Sequence, residues 1–411
     1  MERIFIQIAS YRDTELIPTI LDSISKAKYP ERLSFGLCVQ DDLNNEDLID
    51  LFFIHDNLRA KFFHYKDSKG TCWARSIAQS LYRGEEFSLQ IDSHMRFVKH
   101  WDTELISMWK SLNDSKGLLT AYPGKYYPDQ PENTWPKENP TVCNVIRIHN
   151  GKFKQLGVFM EDHKNLTKPK RGVALSAAYI FTTGRCNVDV PYNPNLYFDG
   201  EEMDMCLRYY TNGYNIYHPH TVYLYHYWTR ENYKHHWDDH EDWGELESKS
   251  LKHIHALIKN NTDVVGNYCL GSDRTIKDYE KYAGINFDLG IVHKYRRENY
   301  EPPVKYPDDL WLDDSSKVKT KVNLTWDGSL IKRSNDITFW HIKVKDNDDI
   351  DIYSEVISYK EHTDLFEGIK NEYEIQIELN IKYQSLKSFE IHTYTDTGKW
   401  SKPYVFSLKT I

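Results

Sequence analysis

Between Ile4 and about residue 120, short apolar runs alternate with stretches of helical periodicity, and this alternation most narrows what the chain can fold into. Parallel strands need a crossover long enough to hold a helix, so the pattern predicts an α/β domain built on a mostly parallel sheet. Residues 4–9 read as the first strand. Thr14 to Lys26 reads as a helix, with Leu16, Ile17, Ile20, Leu21 and Ile24 recurring at three- and four-residue steps. Ser34 to Val39, Phe62 to Tyr65 and Phe87 to Ile91 read as further strands, and Thr71 to Leu81 as a helix. Ligands of such sheets bind beyond the carboxyl ends of the strands. Three ends carry polar residues here: Ala9-Ser10-Tyr11-Arg12-Asp13, Gln40-Asp41-Asp42 and Asp92-Ser93-His94.

Asp92 and His94 project to the same side of an extended backbone, because strand side chains repeat every second residue. One carboxylate oxygen and one imidazole suit Mn²⁺ or a similar divalent cation better than Ca²⁺. The same three residues also fit a plain surface turn opened by Asp-Ser. A third ligand candidate is His226, inside the aromatic run Val222 to Trp228, which reads as a strand and in which an unpaired imidazole is costly. A hydrogen-bonded structural histidine is the alternative there. Arg75 and Arg230 suit phosphate oxygens. Asp41 or Asp42 suits the N3–H of a uracil.

The rest of the chain sets the frame. At 411 residues it exceeds what one core usually supports, so two domains are expected. Tyr122 to Asn139, rich in Pro, Tyr and Asn, reads as a long loop of the kind that covers a site. Strands at Val142 to Ile148 and Ala178 to Thr182 follow. Then Tyr197-Phe198-Asp199-Gly200-Glu201-Glu202-Met203-Asp204 leads into a helix that stops at Asn212-Gly213, a C-cap signal. Helices at Leu246 to Lys259 and Thr275 to Tyr282 close the first domain, placed at 1–298. Residues 299–317, with three prolines and an acidic cluster, read as a linker. Residues 318–411 alternate short strands with Asp/Asn/Gly turns and read as a small all-β, sandwich-like domain.

A formal net charge of -9 argues against a sequence-independent nucleic-acid binder. The 30 tyrosines and 11 tryptophans supply surface that can stack on sugars or bases, although most serve equally well as core. Six cysteines without CxxC spacing suggest free thiols in a reducing compartment. Ile4 to Ile8 is too short for a signal segment or a membrane span. A soluble cytoplasmic protein without a membrane span is expected.

Several ordered segments resemble the UDP-GlcNAc:polypeptide α-N-acetylglucosaminyltransferases, the family of the cytoplasmic hydroxyproline GlcNAc-transferase. They are Ile6-Gln7-Ile8-Ala9-Ser10-Tyr11-Arg12-Asp13, Ala27-Lys28-Tyr29-Pro30-Glu31-Arg32, Gly84-Glu85-Glu86-Phe87, Gln90 to Phe97 and Phe198-Asp199-Gly200-Glu201-Glu202. Gly271-Ser272-Asp273-Arg274 and Tyr279-Glu280-Lys281-Tyr282 resemble its closing segment, so the likeness spans about residues 3–290. More distantly the chain is similar to mucin-type polypeptide GalNAc-transferases. Their Asp-x-His motif falls on Asp92 and His94, their third metal histidine on His226, and their Gly-Glu-Asn segment on Gly200, Glu201 and Glu202. The resemblance implies a GT-A (Rossmann-like) domain, a UDP-sugar donor, Mn²⁺ or Mg²⁺ as cofactor, and transfer with retention to a protein hydroxyl of Ser, Thr or hydroxyproline.

In that setting Ala9, Ser10, Tyr11, Arg12, Asp41, Asp42, Arg75, Asp92, Ser93 and Arg230 are expected to bind the donor. Asp92, His94 and His226 are expected to hold the metal. Asp199, Glu201 and Glu202 are expected to carry the catalytic side, Glu201 and Glu202 by orienting sugar or acceptor hydroxyls. A glycan or a modified nucleobase remains an alternative acceptor. A non-catalytic carbohydrate-binding protein and a nucleotidyltransferase are the other classes, but the first has no need of Asp-x-His and the second lacks a Gly-rich phosphate loop.

Overall fold

The computed structural model describes residues 2–45, 47–149, 151–229, 233–288, 290–293, 295–296 and 301–302, then 319–327, 337–346, 351–358, 372–380, 386–395 and 401–408. The chain divides into two compact units, Met1–Tyr306 and Pro307–Ile411. Most of the expected linker, residues 303–317, lies outside the described residues, as does Arg230.

The first unit opens as the alternation demands: β1 (Ile4–Tyr11), α1 (Leu16–Lys26), β2 (Leu33–Asp41), α2 (Asp47–Ile54), β3 (Leu58–His64), α3 (Thr71–Gln79) and β4 (Phe87–Asp92). There follow β5 (Met95–Phe97), α4 (Trp101–Ser111), β6 (Gly117–Thr120), β7 (Gly124–Lys125), and the hairpin β8 (Thr141–His149) and β9 (Lys152–Phe159). Next are β10 (Lys170–Arg171), β11 (Tyr179–Thr183), α5 (Cys186–Asp189), α6 (Glu201–Thr211), β12 (Asn215–His218), β13 (Leu224–His226) and α7 (Trp243–Ile258). The short pair β14 (Ile285–Asn286) and β15 (Ile291–Val292) ends the unit's strands. Helices α2 and α4 were not expected from the sequence.

Eight strands form one sheet in the order β10-β12-β6-β11-β4-β1-β2-β3. The four strands β4-β1-β2-β3 run parallel, and β6 pairs β12 in parallel. β11 is antiparallel to both β4 and β6, and β10 to β12. The α/β architecture on a mainly parallel sheet is therefore present, with an antiparallel strand let into its middle. Side chains alternate between two cores, as period two requires. Ile4, Ile6, Ile8, Leu89, Leu119 and Phe181 face α1 and α4, together with Leu16, Ile20, Trp101 and Leu105. Leu118, Ile180 and Ile216 face the other way, against Met203, Leu207 and Ile254 of α6 and α7. Full burial of each such apolar side chain contributes about 1.5–3 kcal/mol.

A separate three-stranded sheet, β5-β13-β7, sits past the end of β4. The sequence suggested one strand over Val222 to Trp228. Only Leu224–His226 forms it, paired antiparallel to β5 with His226 opposite Met95. That register determines where His226 lands.

In the second unit the described strands are β16 (Lys319–Asp327), β17 (Ile337–Asp346), β18 (Asp351–Ser358), β19 (Glu372–Asn380), β20 (Leu386–Thr395) and β21 (Tyr404–Ser407). They form an antiparallel pair, β16-β19, and a four-stranded antiparallel sheet, β18-β17-β20-β21. Val322, Leu324 and Ile377 of the first share one core with Trp340, Ile342, Val344, Phe389 and Ile391 of the second, a sandwich-like arrangement.

Candidate active site

β4 delivers Asp92 to the carboxyl edge of the sheet, beside Ala9 of β1. The chain then turns through Ser93 and His94 into β5. Thr19 of α1 pins this turn, donating to the Ser93 carbonyl at 2.8 Å and accepting from the Met95 amide at 2.8 Å. Because β13 pairs with β5, His226 arrives alongside: its Nε2 lies 3.0 Å from His94 Nε2 and 3.1 Å from Asp92 Oδ2. One ligand atom from each of Asp92, His94 and His226 falls within 4.8 Å of the others.

The protonation pattern of this cluster follows from Asp13. Its Oδ2 lies 2.7 Å from His94 Nδ1 and also accepts from the Ser93 hydroxyl at 2.7 Å. An ionised carboxylate can only accept, so His94 carries its proton on Nδ1 and turns the Nε2 lone pair toward the cluster. A carboxylate behind a ligating imidazole is the usual support of a metal histidine. Two imidazole nitrogens and a carboxylate oxygen, converging without a lysine or arginine between them, fit a divalent transition ion.

Behind the cluster lies a buried chain of charge. Arg75 donates to Asp92 Oδ1 at 2.6 Å and to the Ala177 carbonyl at 2.6 Å, and its Nη1 is 3.1 Å from Glu201 Oε1. The Tyr192 hydroxyl donates to the same Glu201 oxygen at 2.5 Å. Burial alone would raise the Asp92 carboxyl, but Arg75 and His226 outweigh it and hold it far below the ordinary range. For Glu201 burial prevails over Arg75, so that carboxyl is raised. The expected phosphate-binding cation, Arg75, is thus turned inward onto two carboxylates. It is a buried strut between the metal-type cluster and the start of α6.

Gly200 initiates α6 at φ +98°, a conformation that favours glycine, and the acidic residues on either side of it, Asp199, Glu201 and Glu202, go to different partners. Glu201 joins Arg75. Glu202 accepts from the Ala177 amide at 2.9 Å and from Gln155 Nε2 at 2.7 Å, and burial with nearby Glu201 raises its carboxyl to about 7. Asp199 is ion-paired with Lys152 Nζ at 2.5 Å and Lys154 Nζ at 3.0 Å. Those two β9 lysines overcome burial and hold its carboxyl at about 2. Glu201, Glu202 and Asp199, expected to act together, therefore occupy three distinct environments.

At the ends of β1 and β2 the residues expected to hold a donor also have partners of their own. Tyr11 donates its hydroxyl to Asp239 Oδ2 at 2.9 Å, and Arg12, at φ +46°, donates to both Asp239 oxygens at 2.8 and 2.9 Å. The Ser10 carbonyl accepts from Gln40 Nε2 at 3.0 Å. Asp41 accepts from the Asp42 amide, and Asp42 from the Asn44 amide, in a tight turn. Beside the cluster Trp228, 40% exposed, lies 4.1 Å from the His226 ring, centroid to centroid, and offers an aromatic face.

Asp13, Gln155, Tyr192 and Asp239 were not singled out as site residues. Asp13 closes the quoted segment Ala9 to Asp13, so its signal was present. Gln155, Tyr192 and Asp239 reach their partners only through tertiary packing.

One consequence concerns Glu247 of α7, which accepts from the Asp199 amide at 2.9 Å. Burial, then the charge of Asp199, raises its carboxyl to about 7. A carboxyl raised in the folded state costs stability once the unfolded form ionises above roughly pH 4.3, increasingly up to about 7 and fully above it. Glu247→Gln is therefore expected to stabilise the protein at pH 8 by about 2 kcal/mol and to lose that advantage at pH 4. Urea unfolding at the two pH values measures it, and an equal effect at both would contradict the assignment.

A family model described as Glycosyltransferase (GlcNAc) matches residues 3–51 and 45–289. No curated protein matches the chain. Among solved structures, Staphylococcus aureus TarS 1–349 in complex with UDP-GlcNAc is similar at 15% identity and TM-score 0.41, covering 69% of this chain and 71% of that one. GalNAc-T7 with UDP, GalNAc and Mn²⁺ is similar at 12% identity and TM-score 0.47, covering 100% of this chain and 72% of that one.

Proposed function

Since the chain belongs to the GlcNAc glycosyltransferase family, we propose that it is a metal-dependent, retaining transferase that moves GlcNAc from UDP-GlcNAc to a hydroxyl, on a protein at Ser, Thr or hydroxyproline. The observation that carries this reading is the convergence of Asp92, His94 and His226 at the carboxyl edge of the sheet. These three residues would hold the Mn²⁺ or Mg²⁺. A divalent cation there supplies positive charge against the diphosphate of a departing nucleotide.

The chain's own residues supply the rest. Asp13 fixes the His94 tautomer, and Ser93 keeps Asp13 in place. Arg75 holds Asp92 ionised and couples it to Glu201. Ala9, Ser10, Tyr11 and Arg12 line the strand end where the nucleoside would lie, with Asp41 and Asp42 toward the base. Glu201 is held by Tyr192 and Arg75, and Glu202 by Ala177 and Gln155, so both suit orientation of hydroxyls better than attack on the anomeric carbon. We therefore favour front-face transfer, in which a β-phosphate oxygen of the donor takes the proton from the acceptor hydroxyl as the sugar–phosphate bond breaks. Trp228 would stack on a sugar face.

A reducing, cytoplasmic setting is consistent with all six cysteines being free, five of them buried. Among the described residues no helix is long and apolar enough to cross a membrane.

The test is release of UDP from a panel of UDP-GlcNAc, UDP-GalNAc and UDP-glucose with Mn²⁺ present. Fastest release from UDP-GlcNAc, abolished by EDTA and restored by excess Mn²⁺, is the expected result. Turnover that persists in EDTA would remove the metal from the proposal.

A further inference from the structure

We propose that a lysine-lined cavity next to the sheet edge is a second anion site, which binds a phosphate ester other than the donor diphosphate. The cavity measures about 470 Å³ and lies between Ser68 and Lys69, the stretch Pro194–Tyr197, and the α7 face carrying Lys249, Lys252 and His253. That volume is typical of a small-molecule site. It shares no lining residue with Asp92, His94 and His226, nor with Ala9 to Arg12.

Its walls are built rather than incidental. Gly70 sits at φ +103°, and a Cβ there would lie 2.5 Å from Tyr197 Cδ2, so glycine is what lets the Ser68–Lys69 stretch close on Tyr197. Ser68 Oγ donates to Gln40 Oε1 at 2.5 Å, which ties this wall to the end of β2. On the opposite side Ser250 of α7 accepts from the Tyr197 amide at 2.7 Å, and Asn193 Nδ2 lies 2.6 Å from His253 Nε2.

The charge lining the cavity needs explaining. Lys249 and Lys252, three residues apart, share a helix face, and Lys69 comes from a different element. All three are exposed, and among the described residues none forms an ion pair. Other exposed lysines of this unit, such as Lys61, Lys164 and Lys281, also stand outside ion pairs with described residues, and what sets Lys69, Lys249 and Lys252 apart is that they border one cavity. The lone carboxylate lining the cavity is Asp242. Burial lowers the pKa of His253, so that ring is neutral near pH 7. Three lysines less one aspartate leave a surplus of two positive charges in a chain whose formal net charge is -9.

The chemistry of the lining selects among anions. Lysine ammonium groups are compact point charges that suit tetrahedral phosphate, whereas planar carboxylates are best matched by the arginine fork. No arginine lines the cavity. The ester is either a free small molecule or one carried along an acceptor chain, and both present the same phosphate to Lys69, Lys249 and Lys252. The site stands whether or not UDP-GlcNAc is the donor.

The test uses the full chain at low ionic strength, where exposed charge pairs are least screened. Calorimetric titration with glycerol 3-phosphate and with linear polyphosphate is run without and then with saturating UDP. Saturable binding of at least one probe is expected, weakened about tenfold or more by Lys249→Glu with Lys252→Glu, and also by Lys69→Glu alone. Circular dichroism and the melting temperature of these surface variants show whether they fold. Tighter binding of polyphosphate points to a chain-borne phosphate, and tighter binding of glycerol 3-phosphate to a free ester. Equal affinity in wild type and variants, no binding of either probe, or complete loss of binding when UDP is added would overturn the proposal.

Discussion

Asp92→Asn is expected to lower UDP release from UDP-GlcNAc roughly a thousandfold, the scale of removing one well-placed charge-stabilising group. The variant should nonetheless fold. Asparagine has the shape of aspartate, its carbonyl can still accept from Arg75, and its amide can donate to His226 Nε2, which now lies 3.1 Å from Oδ2. What disappears is the anionic oxygen that, with His94 and His226, suits a divalent cation. Stability is expected to fall by about 1–3 kcal/mol, because Arg75 keeps Glu201 at 3.1 Å but loses one of its two charged partners. Mn²⁺ affinity, read by calorimetry without any donor, should fall in step with turnover. Activity within tenfold of wild type, in a folded variant, would sink the assignment of Asp92.

Much of this arrangement was legible before any coordinates, and the reason differs by element. β1, β2 and β4 are buried on both faces, so their apolar runs are continuous and bounded by polar ends, and the ends marked where Asp92 and His94 stand. Helix α1 showed itself through period alone, since Leu16 and Ile20 repeat against a solvated face. Helix α2 was missed because its apolar residues do not keep to one side: Ile49 and Phe53 are exposed while Leu51 is buried. β5 is three residues long, shorter than any periodicity can register, and of the strand read over Val222 to Trp228 only Leu224–His226 forms. Their pairing is what brings His226 to His94, so His226 could be named as the third-ligand candidate from its strand, while the register that sets it beside His94 could not be read.

The roles of the charged residues were less legible, because a carboxylate's partner is set by packing. Asp199, Glu201 and Glu202 are adjacent in sequence and face two lysines, an arginine with a tyrosine, and an amide pair. Arg75 shows the same limit most sharply. A cation on a helix behind the sheet edge reads as a phosphate ligand, and only the three-dimensional contacts reveal that both of its terminal nitrogens are engaged inside the protein.

That placement gives Arg75 the largest expected effect on stability. Arg75→Met keeps most of the side-chain volume but removes the cation that lies between Asp92 and Glu201, leaves the Ala177 carbonyl with Gln90 as its remaining side-chain donor, and takes from the Tyr192 hydroxyl the donor it accepts from. Stranding charge in a buried site costs about 3–5 kcal/mol. The loss is expected to be greatest at neutral pH. Asp92 is held well below its unfolded value, so its share of stability is present above about pH 3.9 and disappears as the pH falls through the folded value. Without that cation burial raises the Asp92 carboxyl of the variant, which takes up a proton as the pH falls and relieves its stranded charge, so the gap between wild type and variant should narrow from pH 7 to pH 4. Arg75→Lys separates charge from geometry: one ammonium restores a cation but cannot reach Asp92, Glu201 and the Ala177 carbonyl together as the guanidinium fork does. It is expected to recover part of the unfolding free energy and little of the turnover. If Arg75→Lys restored full activity, the fork would not be the link between Asp92 and Glu201. If Arg75→Met unfolded at the wild-type urea midpoint at pH 7, the two carboxylates would not depend on it.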